Sequence, residues 1–126
     1  LRDCHADNAN RVLWLKMRPD TPQQYEFVSV EGITGRTRSF LVVRPWTQFF
    51  KPGERKDMPL STCNDISISG IRMNCDNFFD VGLSDKYLLR DFNFTHIDVT
   101  NKQGLFDLSV ITGAKVKDVK VNGRQL

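Results

Sequence analysis

Two short stretches of the sequence place indole rings and cations at alternating positions. Trp14, Lys16 and Arg18 alternate with apolar residues, so they share one face if the stretch is a strand. A second same-face set, if the chain is extended there, is Arg44, Trp46 and Gln48. Indole faces stack on sugar rings, and Lys and Arg side chains pair with carboxylates. The sets predict a surface for an acidic polysaccharide; the alternative is that they only cover an exposed sheet face.

The aspartates offer no pair at the spacing that glycoside hydrolysis with inversion needs, which is about 6.5–9.5 Å between carboxyl groups. Asp76 and Asp80 would share a strand face but lie about 13 Å apart. Asp65, Asp91 and Asp118 each stand directly before an apolar, strand-like stretch. We predict that they occupy one position of a repeat and bond local backbone amides at turns. No catalytic residue is therefore predicted in this chain.

The histidines and cysteines lack the spacing of metal ligands. His5 and His96 have no Cys, Asp or Glu partner at such a spacing, and His96 is predicted to be structural, in a turn. Cys4, Cys63 and Cys75 form no C-x-x-C motif, so buried thiols are predicted, with one disulfide and a remaining thiol as the alternative. No metal site and no cofactor are predicted.

A motif of alternating apolar residues recurs along the chain. Its copies read FVSVEGITG (27–35), NDISISGIRM (64–73), RDFNFTHIDV (90–99) and KDVKVNG (117–123). The first apolar residues of the copies are Val28, Ile66, Phe92 and Val119. Successive copies lie 38, 26 and 27 residues apart, and the longer interval equals 26 plus an insertion of 12, assigned to the polar loop at 52–61. A fixed period of this size is typical of stacked repeats.

Because each copy alternates with period two, the repeating unit is a strand and not a helix. We predict an all-β fold, a parallel β-helix in which each coil pairs with the next. Residues 1–126 would form a single segment of about four to five coils. The competing architecture is a sandwich of eight or nine antiparallel strands. Three further predictions are a strand at 40–43 buried on both faces, equivalence of 78–81 with 105–108, and an exposed polar cap at 115–126.

Length, charge and the start of the chain limit the classes of partner. The 126 residues carry a net charge of +3, with no basic run typical of nucleic-acid binding and no apolar run long enough to span a membrane. The chain opens on Leu1, within a strand-like stretch, without an initiator Met or signal peptide. We therefore expect a fragment of a longer chain, whose open first coil would self-associate or pair with missing N-terminal coils.

Three segments, LWLKMRPDTPQ, RPWTQFF and FFDVG, resemble the bacterial pectin-degrading members of family 28 glycoside hydrolases, the polygalacturonase family. The resemblance covers essentially the whole chain and implies a right-handed parallel β-helix. The lysine of the family's R-I-K motif, which contacts a substrate carboxylate, falls on Lys16, and its aromatic platform falls on Trp46. The arginine of that motif falls on Trp14, so either Arg18 supplies the cation or the substrate is a different pectin backbone.

The family's catalytic segments, N-T-D, D-D and G-H-G, are absent from this chain and would lie upstream of Leu1. The resemblance therefore implies a parent enzyme that hydrolyses galacturonic-acid-containing pectin with inversion, in the periplasm or outside the cell. This chain would be its inactive C-terminal part, binding galacturonate oligomers through Trp14, Lys16, Arg18, Arg44 and Trp46. The alternative is a non-catalytic β-helix that binds carbohydrate or is only structural.

Overall fold

The computed structural model describes residues 1–18, 21–46 and 59–126, and within these ranges the chain forms strands and no helix. The strands are β1 (Arg2–Met17), β2 (Gln24–Glu26), β3 (Ser29–Pro45), β4 (Ser61–Val81), β5 (Tyr87–Asn101), β6 (Lys115–Val121) and β7 (Arg124–Gln125). The all-β expectation is confirmed. Across the same ranges, the structure contains no helix of the length and apolarity needed to cross a membrane.

The strands form one sheet in the order β1-β3-β4-β5-β6-β7, with β2 paired to β4 beside this path. Every pairing is parallel except the last, in which β7 turns back antiparallel along β6. Each long strand therefore hydrogen-bonds to the next long strand in the sequence. This pairing is not that of the antiparallel sandwich considered as the alternative architecture. The short β6–β7 hairpin corresponds to the polar cap predicted for 115–126.

The strand register confirms the first two repeat intervals and corrects the third. Ser29 pairs with Ser67, which is the predicted shift of 38 residues, and Ile66 pairs with Phe92, which is the predicted shift of 26. Val119, however, pairs with Ile97 and not with Phe92, so the last shift is 22 residues. The prediction of 27 was wrong because a residue at positive φ followed by a buried apolar residue occurs twice in β5, as Asp91-Phe92 and as His96-Ile97, and Asp118-Val119 aligns with the second pair.

The long strands bend where single residues adopt positive φ, and most of these residues align across the sheet in two columns; Asn8 and Gly35 have positive φ outside the columns. The first bend column contains Phe27, Asp65, Asp91 and Gly113. The second bend column contains Asp3, Gly32, Gly70, His96 and Asp118. Asp118 therefore aligns with His96. The prediction that it shares one repeat position with Asp65 and Asp91 was wrong. His96, predicted to lie in a turn, lies within β5 with a positive φ of 52°.

A glycine follows Asp3 in one column and Asp91 in the other, because each carboxylate needs the space beside it. A Cβ atom on Gly32 would lie 2.6 Å from Oδ1 of Asp3, and one on Gly113 would lie 2.6 Å from Oδ1 of Asp91. Glycine also tolerates the left-handed backbone conformation that the bend requires. Asp65, Asp91 and Asp118 were predicted to lie at turns, but they lie within strands, at positions of positive φ. The carboxylate of Asp65 accepts its hydrogen bond from the side-chain amide of Asn64, at 2.8 Å, and not from a backbone amide.

The core is a stack of aromatic and aliphatic side chains enclosed by the bent sheet. Phe40 and Phe78 stack with centroids 4.7 Å apart, and Phe79 contacts Phe94 edge-on at 6.3 Å although they occupy different parts of their strands. Residues 105–108 do not form the strand expected from their likeness to 78–81. Their one ring, Phe106, nevertheless packs on Phe78 and Phe79, with centroids 5.2 and 5.3 Å away.

Two further predictions about burial are confirmed. The four residues of the stretch 40–43 are all buried, with exposed fractions of 0–3%. Cys63 and Cys75 are buried free thiols, whereas Cys4 is half-buried and also free. Most of the polar loop at 52–61, to which the 12-residue insertion was assigned, lies outside the described residues.

Candidate functional site

The two tryptophans and three cations lie together on the outer face of β1 and at the end of β3. The rings of Trp14 and Trp46 pack edge to face, with centroids 6.5 Å apart and planes at 65°. Nζ of Lys16 lies 4.3 Å from the Trp14 centroid and 4.2 Å from the Trp46 centroid. Cζ of Arg11 lies 4.2 Å from the Trp14 centroid, and Cζ of Arg18 lies 5.4 Å from the Trp46 centroid. We call these five residues the cation–indole cluster.

Strand alternation places the cluster on the outer face. Leu15 and Met17 are 3% and 1% exposed and belong to the core, so Trp14 and Lys16 face outward from β1. Trp46 is held beside them because its backbone amide donates a 2.9 Å hydrogen bond to the carbonyl of Met17. The position of the cluster therefore depends on the parallel pairing of β1 with β3.

The structure brings together four of the five predicted binding residues. Trp14, Lys16, Arg18 and Trp46 belong to the cluster. Arg44 lies opposite Lys16 in the β1–β3 strand register, but its guanidinium is engaged elsewhere. Its Nε donates a 2.8 Å hydrogen bond to Oδ1 of Asp80. That hydrogen bond raises the pKa of Arg44 against the opposing effect of partial burial. Gln48, assigned to the same face, lies outside the described residues.

Arg11 belongs to the cluster although the sequence did not predict it. It stands three positions before Trp14, and strict alternation would put the two side chains on opposite faces. In the paired strand, however, Phe40 and Leu41 are consecutive and both lie in the core. Alternation is therefore broken beside Arg11, which brings its guanidinium over the Trp14 ring. In the sequence, this break in alternation is indicated only by the two adjacent apolar residues, Phe40 and Leu41, in the stretch that pairs with β1.

The surface that the cluster presents to a ligand is mainly positively charged, because cations cover the indole rings. Each indole ring lies against two cations, an arrangement in which cation–π attraction contributes about 0.5–2 kcal/mol per contact. Within the described ranges, no ion pair joins Arg11 or Lys16 to a carboxylate. These two charges are therefore available to an acidic ligand. Stacking of a sugar on the indole faces, expected from the residue types, would require the cations to move aside.

The carboxylates elsewhere are held in their charged form. A hydrogen bond from Lys102, at 2.9 Å, lowers the pKa of Asp76, and one from His96, at 2.9 Å, lowers the pKa of Asp118. Backbone and side-chain hydrogen bonds from Ser109 lower the pKa of Asp107. A general acid for glycoside hydrolysis needs a raised pKa. These three aspartates therefore do not fit that role.

The sulfur and imidazole groups give no sign of metal or nucleophilic chemistry. Burial raises the pKa of Cys63 to about 12, and burial followed by the charge of Asp76 raises the pKa of Cys75 to about 12. Both thiols are therefore neutral near pH 7. Nδ1 of His5 lies 3.0 Å from the hydroxyl of Thr34. In the part of the chain that the structure describes, no three His, Cys, Asp or Glu side chains are grouped to hold a metal ion.

Comparison of the chain with protein-family models, with curated proteins and with solved structures finds no match. The resemblance to family 28 glycoside hydrolases stays a prediction from its sequence motifs. The function is therefore inferred from those motifs and from the geometry of the cluster.

Proposed function

We propose that the chain is one segment, residues 1–126, of a right-handed parallel β-helix of about four to five coils. It would be the C-terminal part of an inverting, polygalacturonase-like bacterial glycoside hydrolase that degrades cell-wall pectin in the periplasm or outside the cell. The family 28 motifs support this proposal, together with the parallel pairing of each long strand with its successor. Two columns of bends in a single parallel sheet are compatible with such a helix.

The cation–indole cluster is proposed to bind galacturonate units of pectin. The observation that carries this proposal is the position of the Lys16 ammonium, within 4.3 Å of both indole centroids and free of any carboxylate among the described residues. Each galacturonate unit carries one carboxylate. A Lys or Arg side chain recognises it through a charge-assisted hydrogen bond, and two carboxylates on one oligomer would reach Arg11 and Lys16 together.

Catalysis is proposed to reside in residues outside this chain. The carboxylates of Asp76, Asp80 and Asp118 are each engaged by a basic side chain, from Lys102, Arg44 and His96 respectively. The same observation favours the second candidate function, a non-catalytic β-helix that binds carbohydrate or only extends a solenoid. The two candidates share the binding surface and differ only in whether the complete protein hydrolyses its ligand.

Replacing Lys16 tests the binding surface. Calorimetric titration with tetragalacturonate should show about 10- to 100-fold weaker binding for Lys16→Ala, because one charge-assisted contact contributes about 1.5–3 kcal/mol. Lys117→Ala is the matched control, since Lys117 is an exposed cation on β6 at the far end of the sheet order. Equal affinity of Lys16→Ala and Lys117→Ala would remove Lys16 from the site.

A comparison of reducing-sugar release tests the enzymatic part of the proposal. This chain and an N-terminally extended protein are incubated with polygalacturonate and with rhamnogalacturonan. Activity in the extended protein alone supports the assignment of catalysis to residues outside this chain. Activity in this chain alone contradicts the assignment of its aspartates to structural roles. Binding without hydrolysis by either protein favours the non-catalytic module.

A further inference from the structure

Phe27 is the most unusual residue of the first bend column. Its side chain is 78% exposed, and its φ is 55°. The other positions of the column hold aspartate or glycine, which adopt this left-handed conformation more readily than a bulky residue. Strained backbone that a more tolerant residue would relieve is found preferentially at functional sites. The ring is therefore a candidate for contact with a ligand.

A groove of about 230 Å³ lies next to Phe27. Its lining, which we call the bend groove, consists of Glu26, Thr62, Cys63, Asn64, Leu88 and Arg90. Phe27 follows Glu26 directly, and its amide donates a 3.3 Å hydrogen bond to the carbonyl of Asn64, which places Phe27 at the rim of the groove.

Three polar side chains form a row across the groove on adjacent strands. Glu26 of β2 pairs with Asn64 of β4, which pairs with Arg90 of β5. Neighbouring strands lie about 4.8 Å apart, so the row spans about 10 Å, which is the length of a disaccharide. The side-chain amide of Asn64 is oriented by its 2.8 Å hydrogen bond to Asp65. Carboxylate, amide and guanidinium groups are planar and bind pairs of adjacent hydroxyls.

The two charged side chains of the bend groove have opposite signs, and the absence of a net charge favours an uncharged ligand. Glu26 contributes one negative charge and Arg90 one positive charge, and neither forms an ion pair with any described residue. The side chain of Cys63 is fully buried in the core, so it adds no charge to the groove. Because the attraction of Arg90 for an acidic sugar is offset by the repulsion of Glu26, the groove gives a charged ligand no net advantage. An uncharged sugar can use both groups as hydrogen-bonding partners, together with the apolar surface of Leu88, which is 39% exposed.

We propose that the bend groove, with Phe27 at its rim, is a binding site for a neutral oligosaccharide. The ring would pack against the apolar C–H face of one sugar unit, while Glu26, Asn64 and Arg90 bind its hydroxyls. This site is separate from the cation–indole cluster and does not depend on the function proposed for it. The other occupant that the exposed Phe27 and Leu88 could take is a second copy of the chain, and the test distinguishes the two.

The test is titration followed by amide NMR spectra, with a linear galactan tetrasaccharide and cellotetraose as neutral probes and tetragalacturonate as the acidic comparison. At least one neutral probe should shift the resonances of Glu26, Asn64 and Arg90. Phe27→Asn removes the ring but keeps a residue that tolerates positive φ, and it should weaken this binding about tenfold or more. Leu83→Asn is the matched control, because Leu83 is 86% exposed and lies outside the groove.

Three outcomes overturn the proposal. The first is no shift at the groove with either neutral probe, and the second is a shift with tetragalacturonate only. The third is a dimer, detected by sedimentation, that Phe27→Asn dissociates and Leu83→Asn does not. That result would assign the exposed ring to self-association. If tetragalacturonate does not bind at the cation–indole cluster, the three outcomes at the bend groove keep the same meaning. The two proposals are therefore tested independently.

Discussion

The cation–indole cluster and the bend groove both combine aromatic and charged side chains on one sheet, yet they present opposite surfaces. In the cluster, the rings of Trp14 and Trp46 are covered by cations, and the charges of Arg11 and Lys16 have no carboxylate partner among the described residues. At the bend groove, the ring of Phe27 is bare and the nearby charges cancel. The role of an aromatic residue is thus set by what lies against its ring.

The two surfaces also depend on different features of the fold. The cluster lies where two parallel strands run side by side, and it needs only the pairing of β1 with β3. The groove lies at a bend and is assembled from three strands, β2, β4 and β5. A surface of the first kind follows from strand alternation. A surface of the second kind follows from the bend columns, which interrupt alternation.

Replacing a phenylalanine of the core should destabilise the sheet that carries both surfaces, and this is the largest effect that we expect. Phe78 is fully buried and packs on Phe40 and Phe106. Phe78→Ala should lower the free energy of unfolding by about 3–5 kcal/mol, measured by urea denaturation, because it leaves a cavity in the core. Leu83→Ala is the control and should change stability by less than about 0.5 kcal/mol. Equal stability of the two variants would show that the sheet does not rest on this aromatic stack.

Ligand binding at the two surfaces should differ in its dependence on salt concentration. Binding of tetragalacturonate to the cation–indole cluster should weaken about tenfold between about 10 mM and about 1 M sodium chloride, because exposed charges are screened over this range. Binding of a neutral oligosaccharide at the bend groove should stay nearly constant. Calorimetric titration at both salt concentrations checks the pair of expectations. Equal salt dependence at the two sites would contradict the charge difference on which the comparison rests.

Strand alternation and repeat spacing could be read directly from the sequence, whereas the bends could not. The outward placement of Trp14 and Lys16 and the shift that pairs Ile66 with Phe92 followed from period two and a fixed interval. The pairing of Val119 with Ile97 did not, because β5 has two positive-φ residues followed by a buried apolar residue, and the sequence does not show which of the two Asp118-Val119 matches. The sequence marks such a residue only weakly, since aspartate, histidine and even phenylalanine occupy the bends.

The bend groove also differs from the cluster in the strain of its backbone, which substitution should release. The left-handed conformation costs a bulky L-residue about 1–2 kcal/mol, and Asn adopts it more easily. Phe27→Asn should therefore raise the free energy of unfolding by about 0.5–1 kcal/mol in urea denaturation while it removes binding at the groove. Leu83→Asn, at a position without positive φ, should give no such gain. A less stable Phe27→Asn protein would mean that the ring supports the fold.

The second bend column provides a charged counterpart to Phe27, and its effect should be the smallest. A hydrogen bond from His96 lowers the pKa of Asp118, with further support from the charges of Lys120 and Lys117. Because the folded-state pKa lies below the unfolded value of about 3.9, the pair stabilises the fold above that pH. This contribution is lost as the pH falls through the folded-state pKa.

Asp118→Asn should therefore lower the urea midpoint slightly at pH 7, and the difference from the unmodified chain should vanish once the pH falls below the lowered pKa of Asp118. Asp107→Asn is a useful comparison, since hydrogen bonds from Ser109 lower the pKa of Asp107 without a basic partner. Its effect should resist salt, whereas that of Asp118→Asn should shrink as salt screens the exposed pair. A difference that persists unchanged at low pH would show that Asp118 acts through its backbone conformation at the bend and not through its charge.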